Sequence, residues 1–203
     1  MTKNILSIDF DIIMAPCIKL YNDKVGGDDN STQLWNYLEH TMELDQYLRY
    51  DAKTLSDIAL LIKQAITNGA KLYMINEHQE IVDSLQAQES YCDDTFNITN
   101  IDFHHDLWYR QEDLSQLIDF DNYNCSNWLG YLYLKNKTES ITWIPAANSD
   151  QNLPECVNNL YKLPLRTIEG ISTNYDAVYF CLSPQWVPYK YHHLYKLISL
   201  LCK

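Results

Sequence analysis

Three observations predict an α/β fold, a three-layer sandwich around a mostly parallel central sheet. First, short apolar runs recur along the chain: "NILSID" (4–9), "AKLYMI" (70–75), "NITNID" (97–102), "SITWIP" (140–145) and "AVYFCL" (177–182). Second, they are short and apolar enough to read as buried strands. Third, helix-length segments separate them, and strands alternating with helices imply parallel pairing with helices on both faces of the sheet.

The elements follow in order. After the first strand, residues 22–50 open with the turn-rich "NDKVGGDDNST" and then run aromatic and acidic, which predicts a loop followed by a helix. "DAKTLSDIALLIKQAITNG" (51–69) carries Leu55, Ile58, Leu61, Ile62 and Ile66 at helical spacing and stops at Asn68-Gly69. The second strand leads into a helix over "EHQEIVDSLQAQE" (77–89). Residues 107–135, rich in Asp, Asn and Tyr, predict an irregular pocket wall, and "YKYHHLYKLISLLCK" predicts a closing helix that carries His192 and His193 on its surface. No internal repeat, low-complexity tract or linker divides the chain, so residues 1–203 read as a single domain.

Composition narrows the function classes. The 203 residues are 46% hydrophobic and 21% charged, which is ordinary for a globular protein, and the formal charge is −12. That acidity argues against nucleic acid, whose phosphates need Lys and Arg, and against an anionic membrane surface. No stretch approaches the ~18 apolar residues of a membrane span. "MTKNILSIDFD" meets acids too soon for a signal peptide, so a cytoplasmic protein is expected. The six cysteines (Cys17, Cys92, Cys125, Cys156, Cys181, Cys202) form no CxxC pair and read as reduced thiols. The sequence leaves an oligomer possible.

The chemistry gathers at strand ends, where open α/β sheets collect their ligands. Asp9 and Asp11 follow the first strand, His78 follows the second, and Asp102, His104 and Asp106 follow the third. A lone acid or histidine in such a place is usually a solvated loop residue. In extended chain, however, positions i, i+2 and i+4 share a face at about 6–7 Å per step. Asp102, His104 and Asp106 so placed could embrace two adjacent cations with one carboxylate bridging, and Asp9 and Asp11 repeat the pattern. Four carboxylates and two imidazoles suit Mn²⁺, Fe²⁺ or Zn²⁺, and two divalent ions would offset the four negative charges.

These residues carry a resemblance. "NIDFHHDLW" resembles the Asp-x-His-x-Asp metal motif of the arginase-like ureohydrolases, "SIDFDIIMAP" is similar to their Ser-x-Asp-x-Asp segment, and "NEHQE" is similar to the segment holding their strand-end histidine. The Asp-x-Asp element opens this chain instead of closing it. That permuted order, the short length and "AVYFCLSPQWVP" resemble the peptide arginases, which convert arginine residues of ribosomal precursor peptides to ornithine. The resemblance implies an arginase-like domain with two Mn²⁺ per chain, bridged by Asp9 and Asp102. His78 and Asp106 complete one shell, and His104 and Asp11 the other. It further implies that water activated between the ions attacks the guanidinium of an arginine-containing precursor peptide, with Asp106 relaying the proton.

The chain departs from that pattern where arginases hold the guanidinium, since "YFCLSPQW" offers Cys181 and Gln185 but no acid. Glu77, Glu80 or the free oxygen of Asp11 could serve. Glu77 could equally be a partner of the ligands or a helix-start acid. His105 points away from His104 and would pack behind the site, or shuttle protons if the strand kinks. Asn127 in "NCSNW" and Gln185 are candidate amides for substrate, although the former segment also reads as a polar turn. Trp108, Tyr109, Tyr123, Trp128 and Trp186 could line a peptide cleft or simply fill the core. Two other functions compete: a single-metal deacetylase of the same superfamily, and a non-catalytic peptide-binding module that keeps a structural metal.

Overall fold

The computed structural model describes residues 1–14, 35, 37, 50–108, 114, 115, 117, 122–147, 149, 152–154 and 156–201. Strands β1 (Thr2–Asp9), β2 (Lys71–Ile75), β3 (Thr95–Ile101), β4 (Thr138–Ile144), β5 (Leu160–Lys162) and β6 (Ala177–Cys181) form one sheet in the order β2-β6-β1-β3-β4-β5. Every pairing in it is parallel. The five apolar runs all became strands. β5 was not anticipated: "LYK" is half-buried to exposed and only three residues long, so it lacks the apolar signal of the others.

Helices cover both faces. On one, α1 (Ala52–Thr67) and α4 (His192–Leu201) pack Ile58, Leu61, Ile62, Tyr195 and Ile198 onto Leu6, Ile8, Val178 and Phe180. On the other, α2 (Gln79–Gln86) and α3 (Trp128–Leu134) pack Ile81, Val82, Leu85, Trp128 and Leu132 onto Ile5, Ile98, Ile141 and Tyr179. This is the three-layer arrangement expected.

The bounds of α1 follow from its end residues. Asp51 accepts the N–H groups of Lys53 and Thr54, which would otherwise lack partners in the first turn. At the other end Gly69 adopts φ +103°, and the next residue, Ala70, donates its N–H to the Ala65 carbonyl, closing the last turn. Residues 128–134 correct the irregular reading of 107–135. They form a helix that is apolar nearly all round and sinks into the core. The loop-and-helix reading of 22–50 falls outside the described residues, apart from Trp35, Tyr37 and Tyr50. Among the described residues no helix is long and apolar enough to cross a membrane, and Cys92, Cys125, Cys156 and Cys181 are free.

Register brings the strand ends level. Cys181 lies opposite both Ile75 and Asp9, and Ile8 lies opposite Ile101. Asp102, one residue past Ile101, therefore emerges beside Asp9 on the neighbouring strand, about 4.8 Å being the usual strand spacing.

Candidate metal centre

Two short turns aim the acids inward. Asp9 Oδ1 accepts the N–H of Asp11 at 2.9 Å, and Asp102 Oδ1 accepts that of His104 at 2.8 Å. The same i to i+2 side-chain turn thus ends both strands. The Asp102–Asp106 stretch is not the extended chain expected of it, because β3 stops at Ile101. It bends away from the sheet instead, and its side chains converge because Asp106 takes a left-handed conformation at φ +52°. That conformation is rare outside glycine and is held here by its surroundings. The Asp106 carbonyl accepts two N–H groups from α3, those of Leu129 and Gly130, both at 3.1 Å.

The six expected ligands meet in two nests. His78 Nδ1 faces Asp106 Oδ2 at 3.0 Å and Asp9 Oδ2 and Asp102 Oδ2 at 3.7 Å each. His104 Nδ1 faces Asp11 Oδ2 at 3.3 Å and Asp102 Oδ1 at 3.8 Å. Asp102 thus offers one oxygen to each nest. Asp9, Asp11, His78, Asp102 and Asp106 are buried, and His104 is nearly so. Three groups have ligand atoms within 4.8 Å of one another: Asp11, Asp102 and His104; His78, Asp102 and Asp106; and Asp9, His78 and Cys181. These buried groups could hold a metal ion.

The residues fit cations on their own chemistry. Both Asp11 oxygens and His78 Nε2 are buried without a hydrogen-bond partner, a costly state for a carboxylate unless something positive satisfies it. Protons answer the same need in the bare chain. Burial, then the neighbouring Asp11, pushes Asp9 up to about 7. Burial and the carboxylates of Asp106, Asp9 and Asp11 hold Asp102 well above the usual carboxylate range. His78 rises although burial opposes it, with Cys181, Asp106 and Asp9 outweighing that, and His104 rises against burial because of Asp11. Asp106 alone goes down: burial works against this, but His78 beside it prevails. Four acids crowded from water thus attract positive charge, which two divalent ions would supply.

Partners behind the ligands add definition. Ser183, at φ +46° just past β6, donates its hydroxyl to Asp9 Oδ2 at 2.6 Å. Trp128 Nε1 donates to Asp106 Oδ2 at 2.7 Å, and Asn100 Nδ2 to Asp102 Oδ2 at 3.3 Å. The sequence reading missed the roles of Ser183 and Asn100. Asn100 stands two residues before Asp102 on the same strand, so alternation was a usable signal for it. Ser183 gave none, since its partner is 174 residues away.

The remaining candidates divide. His105 is buried edge-on against Trp143, its Nδ1 accepts the Leu107 N–H, and burial lowers it to about 4, so it stays neutral behind the site. Glu80 reaches back to accept the N–H groups of Asn76 and Glu77, both at 2.9 Å, which ties the turn between β2 and α2 to the first turn of the helix. Asn127 is buried, and its Oδ1 accepts the Asn124 N–H, forming the polar turn before α3. Glu77 is half-buried, with one oxygen taking the amide of Gln185 at 2.8 Å and the other that of Gln79 at 2.5 Å. Trp186, also half-buried, lies against the His104 ring at 4.9 Å between centroids. Of the proposed cleft aromatics, Trp108 and Trp128 belong to the core instead. Tyr123 is drawn aside to Asp83 through its hydroxyl, and Tyr109 is outside the described residues.

No family model matches the chain, and neither curated proteins nor solved structures give a match to it.

Proposed function

We propose that this chain hydrolyses the guanidinium of arginine residues in a peptide, leaving ornithine in the peptide and releasing urea. One observation carries the reading. Six side chains from three strand ends form two nests around Asp102, with Asp9 emerging at its side. In this reading Asp9, Asp11, His78, Asp102, His104 and Asp106 would hold two Mn²⁺ ions. When bound, such ions would supply a water acidified toward neutral pH as the nucleophile.

The chain's own groups do the rest. Water adds its oxygen to the guanidinium carbon, the bond to the side-chain nitrogen breaks, and that nitrogen leaves as an amine needing a proton. Asp106 is the group to carry it, because Trp128 Nε1 fixes one of its oxygens. His105, neutral and packed against Trp143, is set apart from this transfer. Trp186 beside His104 is the aromatic surface best situated to meet an incoming side chain.

The test is direct. Protein loaded with Mn²⁺ is incubated with arginine-containing peptides, and mass spectrometry follows arginine to ornithine while urea is measured alongside. Conversion at two manganese per chain is expected. No conversion of any peptide or of free arginine sinks the reading. One zinc per chain, with release of acyl groups from lysine, would replace it with the single-metal alternative.

A further inference from the structure

The strand that lies between His78 and Asp9 brings no acid to the centre. β6 ends in Cys181 and runs on through Ser183, Gln185 and Trp186. Ser183 is tied to Asp9, Gln185 to Glu77, and Trp186 lies on His104, so this one segment touches both nests and the residue beside His78. A cationic substrate entering there needs a carboxylate that is neither a ligand nor spent on the fold.

Among the described residues, the acids beside that segment can be taken in turn. Asp9, Asp11, Asp102 and Asp106 make up the centre. Glu80 takes two backbone N–H groups on its Oε1 alone, and Asp83 takes the Tyr123 hydroxyl on its Oδ1 alone, so neither has both oxygens fixed in place. Glu77 is different. It is half-buried and it adjoins His78 in the chain. Its partner Gln185 directly precedes Trp186, which lies on the His104 ring, so Glu77 is tied to the segment that borders the centre. Its two oxygens are each held by one side-chain amide, Gln185 Nε2 on Oε1 and Gln79 Nε2 on Oε2. A carboxylate has about four acceptor positions, so each oxygen keeps one free while the amides fix the plane of the group. A planar acceptor pair of that kind matches the two parallel N–H groups of a guanidinium.

We propose that Glu77 is the acceptor for the substrate's guanidinium, oriented by Gln79 and Gln185 as positioning residues. This rests on the arginine-directed reading of the centre. It assigns to the β2–α2 turn the anchoring that the end of β6 lacks, and it makes selection depend on charge: arginine is taken and the neutral, nearly isosteric citrulline refused.

The experiment compares binding of N-acetyl-arginine amide and of its citrulline counterpart by calorimetry, using Mn²⁺-loaded protein in wild-type, Glu77→Gln and Gln185→Ala forms. Manganese content and melting temperature are recorded for each. The expected result is at least a tenfold loss of affinity for the arginine compound in Glu77→Gln, a smaller loss in Gln185→Ala, and little change for citrulline. Manganese content stays at the wild-type level throughout. Equal arginine binding by Glu77→Gln and wild type overturns the proposal. So does a parallel loss for both compounds, or a fall in manganese content, because either marks Glu77 as a support of His78. Wild-type protein that does not distinguish the two compounds overturns it as well. Glu77-dependent arginine binding without urea release would instead leave the anchor standing and remove the hydrolytic reading.

Discussion

Asp102 serves two masters. The oxygen it offers to each nest makes it the shared member of the centre, yet in the metal-free chain it lies buried among three other carboxylates that hold its proton on. Folding at neutral pH must therefore protonate it, and a neutral amide in its place should separate stability from function. In Asp102→Asn the side-chain oxygen can still accept the His104 N–H, and no proton has to be taken up on folding. The metal-free variant is expected to be more stable than wild type by about 1 kcal/mol, a rise of roughly 2–4 °C for a domain of this size. Wild type should gain further stability from Mn²⁺ and lose it to chelator, while the variant gains none. Thermal unfolding with and without Mn²⁺ decides, and a variant that still gains stability from the metal contradicts the shared-ligand arrangement. The cluster of acids and histidines was legible in the sequence because carboxylates and imidazoles at strand ends declare their chemistry. Their partners were not. An indole 22 positions from Asp106 or a serine 174 positions from Asp9 gains its meaning only through the fold.

Helix α3 shows how an element can be both core and clamp. Its first turn supplies the Trp128 indole to the Asp106 side chain and two N–H groups to the Asp106 carbonyl. Gly130 makes that approach feasible, since a Cβ there would lie 2.3 Å from the Leu107 carbonyl oxygen. Glycine inside a helix usually destabilises it by about 0.5–1 kcal/mol relative to alanine. Here the sign inverts. Gly130→Ala is expected to destabilise by about 1–3 kcal/mol through overpacking, and to push the Asp106 turn out of place. Trp128→Phe keeps an aromatic side chain of smaller volume but loses the N–H, so a folded, somewhat less stable protein with roughly 10–100-fold weaker metal binding is expected. Urea unfolding and metal titration read the two effects; undiminished metal affinity in both variants would remove the clamp. This helix was hidden in the sequence because it is apolar on nearly every side, which erases the period that revealed α1 with its Asp51 start and Gly69 stop.

Across the whole molecule, acids sit at both rims of the sheet under opposite conditions. The centre occupies the rim where the strands end. At the rim where they begin, Asp94 is tied to Lys3 at 2.5 Å and accepts the Ser90 hydroxyl, and these contacts hold its pKa well below the ordinary carboxylate value. A carboxylate lowered on folding contributes stability that is complete above its unfolded value, near 3.8, and is lost as pH falls toward the folded one. Asp94→Asn should therefore flatten the acid side of the stability curve and leave its slope above about pH 5 little changed. Urea unfolding across pH 2–6 measures it, and identical acid limbs in both proteins would refute the assignment. The layered architecture was readable from five apolar runs, whereas the lateral order of the strands was not, since nothing local to β1 says which neighbours it will take. That order has a consequence for biosynthesis. β1 is made before both of the strands it lies between, β3 and β6, and in sequence β6 is separated from it by the other four strands of the sheet. A nascent chain can thus join Asp9 to Asp102 early, but Ser183 and the Gln185–Trp186 rim arrive only after β6 has been made. Cations captured before then would occupy an open-sided cup, and enclosure of the centre falls to the closing act of folding.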